Sequence, residues 1–133
     1  MIVVDASWVI ALHDPTNSHH SKAVQANEAI GDSRVVIAAL TLAEYLVGPA
    51  KLGVEDKAMI QAQSAFAIAQ PDAGAPLRWA RLRATSGLKL PDVIVLDTAI
   101  ELKAEAIATF DQHLASQTIA HKMKAIGISP PPE

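Results

Sequence analysis

Two short apolar runs of this chain each end on an aspartate: Ile2-Val3-Val4-Asp5 and Ile107-Ala108-Thr109-Phe110-Asp111. Runs of that length suit fully buried strands, and in an open parallel sheet the carboxyl ends of the strands form the ligand crevice. Both aspartates should therefore face one crevice. Glu44 follows a second apolar run, Val35 to Ala38, after a short turn, and Asp92 opens the helical stretch before the last run, which puts four acids on one rim. Two unit charges about 4 Å apart cost about 4 kcal/mol at an effective dielectric of about 20. Four of them need either raised pKa values or a bound cation. Cysteine is absent, so the donors are oxygens, and the matching ion is a hard one, Mg2+ or Mn2+. A site of that type suits phosphodiester hydrolysis.

Each acid also has a plainer reading. Asp5 with Ser7 could cap the following helix, Asp92 after Pro91 could do the same, and Asp111 could be a turn residue. Thr41-Leu42-Ala43-Glu44 matches a capping box, in which Glu44 would serve only the helix start. Asp97 lies five residues past Asp92, about 140° round an ideal helix, so both cannot point squarely at one ion; it is an accessory candidate. Arg78, Arg81, Arg83 and Lys89 fall in a segment from Ala73 to Pro91 that holds no acid. They could form a strip beside the pocket that contacts the phosphates of a nucleic-acid backbone; the alternative is a solvated helix face. The five histidines include no His-x-x-x-His pair and suggest no metal site of their own.

The elements that must position these residues alternate along the chain. Strands are expected at Ile2 to Val4, Val35 to Ala38, Phe66 to Ala69 and Ala106 to Thr109. Helices are expected over Lys22 to Ile30, Leu42 to Val47 with a break at Gly48-Pro49, Val54 to Ser64, Pro76 to Ser86, and Asp92 to Lys103 after a loop from Gly87 to Pro91. A short helix and a weak edge strand should fill Gln112 to Ile128. Alternating strands and helices without hairpin signals predict an α/β fold built on a parallel sheet.

At 133 residues the chain has room for one core, and half of it is apolar, so a folded domain is expected. The formal net charge of −3 argues against coating nucleic acid through global charge. Aromatics at 4% argue against an extended base-stacking platform. The start, Met-Ile-Val-Val-Asp, lacks a basic leader and no long uncharged apolar run occurs, so a cytoplasmic protein without membrane association is expected.

Together, Ile2-Val3-Val4-Asp5-Ala6-Ser7, Leu42-Ala43-Glu44, Leu90-Pro91-Asp92-Val93-Ile94 with Thr98-Ala99, and Thr109-Phe110-Asp111-Gln112-His113-Leu114 resemble the PIN domain, particularly VapC-type toxins of toxin-antitoxin pairs. The resemblance covers residues 1 to 115. It implies a three-layer α/β/α sandwich around a parallel sheet of four or five strands, in a single PIN-like domain over residues 1–128 with a frayed proline-rich tail over 129–133. It also implies Mg2+- or Mn2+-dependent endoribonuclease activity leaving a 5'-phosphate. The acidic quartet of the family maps onto Asp5, Glu44, Asp92 and Asp111, with Ser7 and Thr109 as nearby hydroxyls. Asp5, Asp92 and Asp111 are the implied metal ligands, and Glu44 a ligand or a residue that orients water. The implied partners are a small VapB-like antitoxin, an RNA substrate and a second copy in a homodimer. Asp97 departs from the family pattern.

Three alternatives are weaker. An inactive PIN-like scaffold that binds a protein or RNA should have lost an acid of the quartet. A phosphatase of the haloacid dehalogenase kind wants Asp-x-Asp, and position 7 is Ser. A receiver domain needs an acidic pair after the first strand.

Overall fold

A computed structural model describes residues 1–128. The elements run β1 (Ile2–Val4), α1 (Ala6–His13), α2 (His20–Ile30), β2 (Val35–Ala38), α3 (Ala39–Lys51), α4 (Glu55–Ala65), β3 (Ala67–Ala69), α5 (Ala75–Ser86), α6 (Leu90–Glu101), β4 (Ala106–Thr109), α7 (Gln112–Ala120) and β5 (Lys124–Gly127). The tail expected to fray, 129–133, lies outside the described residues. Among those described, no helix is long and apolar enough to cross a membrane.

The five strands form one parallel sheet in the order β3-β2-β1-β4-β5. The central strand β1 sets the register, with Val4 opposite Ile37 of β2 and Ala108 of β4. Side chains alternate between faces, as strand geometry requires. Ile2, Val4, Ile37, Ala106 and Ala108 pack against α1 to α4, whereas Val3, Val36 and Ile107 pack against Leu88, α6 and α7. A sheet covered on both faces explains why its strands read as continuous apolar runs. The result is the expected α/β/α sandwich. Each fully buried aliphatic side chain in it contributes about 1.5–3 kcal/mol.

From β1 the chain builds outward through β2 and β3, then crosses back to place β4 on the other side of β1. The strand order therefore reverses between β1 and β4, which is where open α/β sheets open a crevice.

Three local expectations need correction. The helix read from Leu42 to Val47 starts at Ala39, directly after β2, and runs through Pro49 to Lys51. Pro49 sits in its last turn, where its missing N–H forfeits one intrahelical bond. Thr41 is consequently inside the helix, not at its cap; the N-cap is Ala38, without a side-chain bond, and the buried Thr41 hydroxyl has no hydrogen-bond partner. The capping box does not form. The loop read as Gly87 to Pro91 is also shorter, because α6 already begins at Leu90, with Pro91 in its first turn, a position whose N–H needs no partner.

Candidate metal centre

Asp5 leaves β1 at the strand-order reversal and caps α1. Its Oδ1 accepts from the Trp8 backbone N–H at 2.9 Å and from Ser7 Oγ at 2.7 Å, and its Oδ2 accepts from Thr109 Oγ1. The same two hydroxyls reach the neighbouring strand's end: Ser7 Oγ accepts from Phe110 N at 3.0 Å, and Thr109 Oγ1 accepts from Asp111 N at 2.9 Å. A bond from Asp5 N to the Ala108 carbonyl at 3.1 Å completes the clamp between β1 and β4. Asp5 is only 4% exposed. Burial pushes its carboxyl up, while Thr109, Trp8 and Ser7 pull it down and Asp111 pushes it up again.

Asp111 caps α7, with Oδ1 accepting from Leu114 N at 2.8 Å, and is otherwise exposed. The helix-cap reading of Asp5 thus holds, Asp111 read as a turn residue is also a cap, and Asp92 is not one, since the N-cap of α6 is Lys89; each cap bond uses one carboxylate oxygen, so capping and ion binding are compatible. Asp92 lies in the first turn of α6, half-buried. Burial raises its carboxyl most, followed by the charges of Asp111, Asp5 and Glu44, so that it is pushed up to about 6 against a small opposing effect of Lys89. Glu44, exposed on α3, is raised by desolvation and by Asp5. With no capping box to serve, it is free to act at the crevice.

The four acids therefore sense one another across α3, α6 and the ends of β1 and β4. Among the described residues none of them enters an ion pair. A buried carboxylate, Asp5, and a half-buried one, Asp92, beside the exposed Glu44 and Asp111 are an arrangement whose mutual repulsion a hard divalent ion would relieve. No three His, Asp or Glu side chains among the described residues close into a ready-made cage. Mg2+ takes one or two protein carboxylates and fills its shell with water and substrate oxygens; Asp5, Asp92 and Asp111 are the residues from which those ligands would come.

Asp97 belongs elsewhere. It is buried, and Arg78 grips it through Nε (2.8 Å) and Nη2 (3.2 Å) while Trp79 Nε1 donates at 3.1 Å. The same guanidinium reaches Asp72 at 3.0 and 3.2 Å and lies 3.6 Å from Glu101. Asp97 and Asp72 hold the Arg78 guanidinium above its ordinary pKa, and Arg78 in turn holds the Asp72 carboxyl below its own. The accessory role expected of Asp97 is replaced by a structural one: it pins α5 to α6. A cavity of about 440 Å³ opens beside this fork, and none of the four acids lines it.

The basic strip shrinks accordingly. Arg78 is committed to Asp72 and Asp97, and Arg83 donates to the Leu88 carbonyl. Arg81 and Lys89 are exposed and unpaired among the described residues. An aspartate inside an otherwise apolar helix was the available hint that a buried cation must lie opposite Asp97.

Several solved structures share this architecture. VapC20 from Mycobacterium tuberculosis, described as a sarcin-ricin loop cleaving toxin, is 16% identical, with 88% of this chain and 95% of that one covered and a TM-score of 0.73. A toxin-antitoxin complex from Klebsiella pneumoniae is 29% identical over 84% of this chain and 88% of that one, with a TM-score of 0.71. FitAcB from Neisseria gonorrhoeae is 18% identical over 95% and 96%, with a TM-score of 0.73. No curated protein matches the chain. The family model of the PIN domain matches residues 2–118. That match runs from the central strand through all four acids to the helix capped by Asp111, and the chain belongs to the PIN domain family.

Proposed function

We propose that the chain is a Mg2+- or Mn2+-dependent endoribonuclease acting as the toxin of a VapBC-type pair. On this reading it is restrained by a small cognate antitoxin and, by the same resemblance, assembles as a homodimer. The observation that carries the nuclease reading is Asp92, a half-buried carboxyl held near 6 by burial and three neighbouring acids, with no ion pair to neutralise it. Support for a partner comes from similar structures that are themselves toxin-antitoxin assemblies.

Asp5, Asp92 and Asp111 would hold the cation. When bound, it supplies charge neutralisation at the scissile phosphate and makes the attacking water more acidic. The chain's own groups do the rest. Ser7 and Thr109 fix the Asp5 carboxylate through three donors shared with the Trp8 amide, so its free lone pairs have a set direction before substrate arrives. Glu44, exposed and raised in pKa, would accept a proton from water. Arg81 and Lys89 can bind flanking phosphates as point charges without reading sequence.

The test is cleavage of single-stranded RNA by the purified chain, freed of any partner. Cleavage should require Mg2+ or Mn2+, stop with a chelator, and fall at least about a hundredfold on Asp5→Asn or Asp92→Asn. A folded parent that cleaves no RNA, or variants that cleave as fast as the parent, would overturn the reading; the first result would favour an inactive scaffold.

A further inference from the structure

We propose that His19 is a substrate-positioning residue, its imidazole stacking on one unpaired nucleobase of the RNA beside the acidic crevice. This rests on the nuclease reading. Three rings form a continuous stack at this end of the sheet. Trp8 and Phe110 lie 5.6 Å apart between centroids at 16°, and His19 covers Phe110 at 4.5 Å and 7°. Trp8 and Phe110 are buried, at 1% and 8% exposure, while His19 is half-buried, so the imidazole is the ring through which the stack meets solvent.

The stack is joined to the acids by the chain itself. Phe110 stands between Thr109, which donates to Asp5, and Asp111; its own N–H donates to Ser7, the second hydroxyl on Asp5. Trp8 donates its backbone N–H to the same carboxylate. The backbone that carries the His19 ring is also held in place before substrate arrives. Its N–H donates to Asn17 Oδ1 at 2.9 Å, its carbonyl accepts from Ala23 N at 2.9 Å, and the next residue's Nδ1 is bonded to the Ala11 carbonyl at 2.7 Å.

A ring stacked nearly parallel on the buried ring below it and itself partly exposed offers what an unpaired base seeks, a π-face without sequence preference. The chain is poor in aromatics, which excludes a platform for many bases but not a seat for one. The stack would hold the strand in line with the acids while Arg81 and Lys89 hold its phosphates.

The experiment is steady-state cleavage of a short single-stranded oligoribonucleotide with Mg2+ by the parent, His19→Ala and His19→Phe, each verified as folded by thermal unfolding. His19→Ala should raise KM about 5- to 100-fold with little change in kcat, and His19→Phe should keep the parental KM. A series of oligoribonucleotides with one abasic position each provides the second measurement. One position should raise the parental KM and add nothing in His19→Ala. An unchanged KM in His19→Ala overturns the inference alone. So does an equal loss of kcat in both variants, which would mean the ring nitrogens act in proton transfer. A parent that cleaves no RNA overturns the nuclease reading and this inference with it.

Discussion

Asp92 and Asp97 lie on the same helix and carry the same carboxyl, yet their surroundings give them opposite effects on stability. Asp97 faces Arg78 and Trp79; Asp92 faces three other acids. Because the Asp92 pKa in the folded chain, about 6, is above its ordinary value of 3.8, the folded state binds more protons than the unfolded one between those values. Stability of the cation-free protein should therefore be highest at the acid end of that window and fall as pH rises from about 4 to about 6. Asp92→Asn should flatten this slope and stabilise the cation-free chain at neutral pH by on the order of 1–2 kcal/mol, after allowance for solvent screening of a half-buried group. Urea unfolding in chelator across that pH range checks it. Asp97→Ala should do the reverse, costing about 1–3 kcal/mol by stranding the Trp79 indole and one side of Arg78, while cleavage per folded molecule stays near the parental rate. Asp5, Asp92 and Asp111 stand out in the sequence because each lies at the end or start of an apolar element, whereas Glu44 lies inside α3. The partner of Asp97 was not, because Arg78 precedes it by 19 residues and only the packing of α5 on α6 brings them together.

At the scale of elements, β1, β2 and β4 match the sequence reading to the residue, since each is a short, mostly apolar run, the signal of a strand buried on both faces. Helix ends were harder. Thr41 and Glu44 have the spacing of a capping box, but helix α3 starts immediately after β2, leaving no room for a separate cap and enclosing the Thr41 hydroxyl without a partner. A near-isosteric change now separates two threonines. Thr41→Val removes an unsatisfied buried hydroxyl and should raise stability by up to about 1–2 kcal/mol. The same change at Thr109 strips a donor from the buried Asp5 carboxylate and should lower stability by about 1–3 kcal/mol, with a fall in kcat. Thermal unfolding of the two variants, paired with the cleavage assay, gives both signs at once.

The molecule as a whole explains why acids drawn from four stretches of sequence gather at one place. Its sheet grows from the middle outward, first to one side of β1 and then to the other, so that β1 and β4 become neighbours although Val4 and Ala108 are far apart in the chain. Alternation of strands and helices announces a parallel sheet, but the strand order is set by which faces pack, and no local pattern encodes it. The modest overall charge of −3 likewise conceals a crevice where negative charge is concentrated and uncompensated. The crevice should take up a divalent cation, and calorimetric titration of the folded chain with Mn2+ at neutral pH is the decisive experiment. Saturable binding is expected that weakens as pH falls below about 6, when Asp92 takes up its proton, and that is lost in Asp5→Asn; a folded chain that binds no Mn2+ at neutral pH would refute cation uptake at this site.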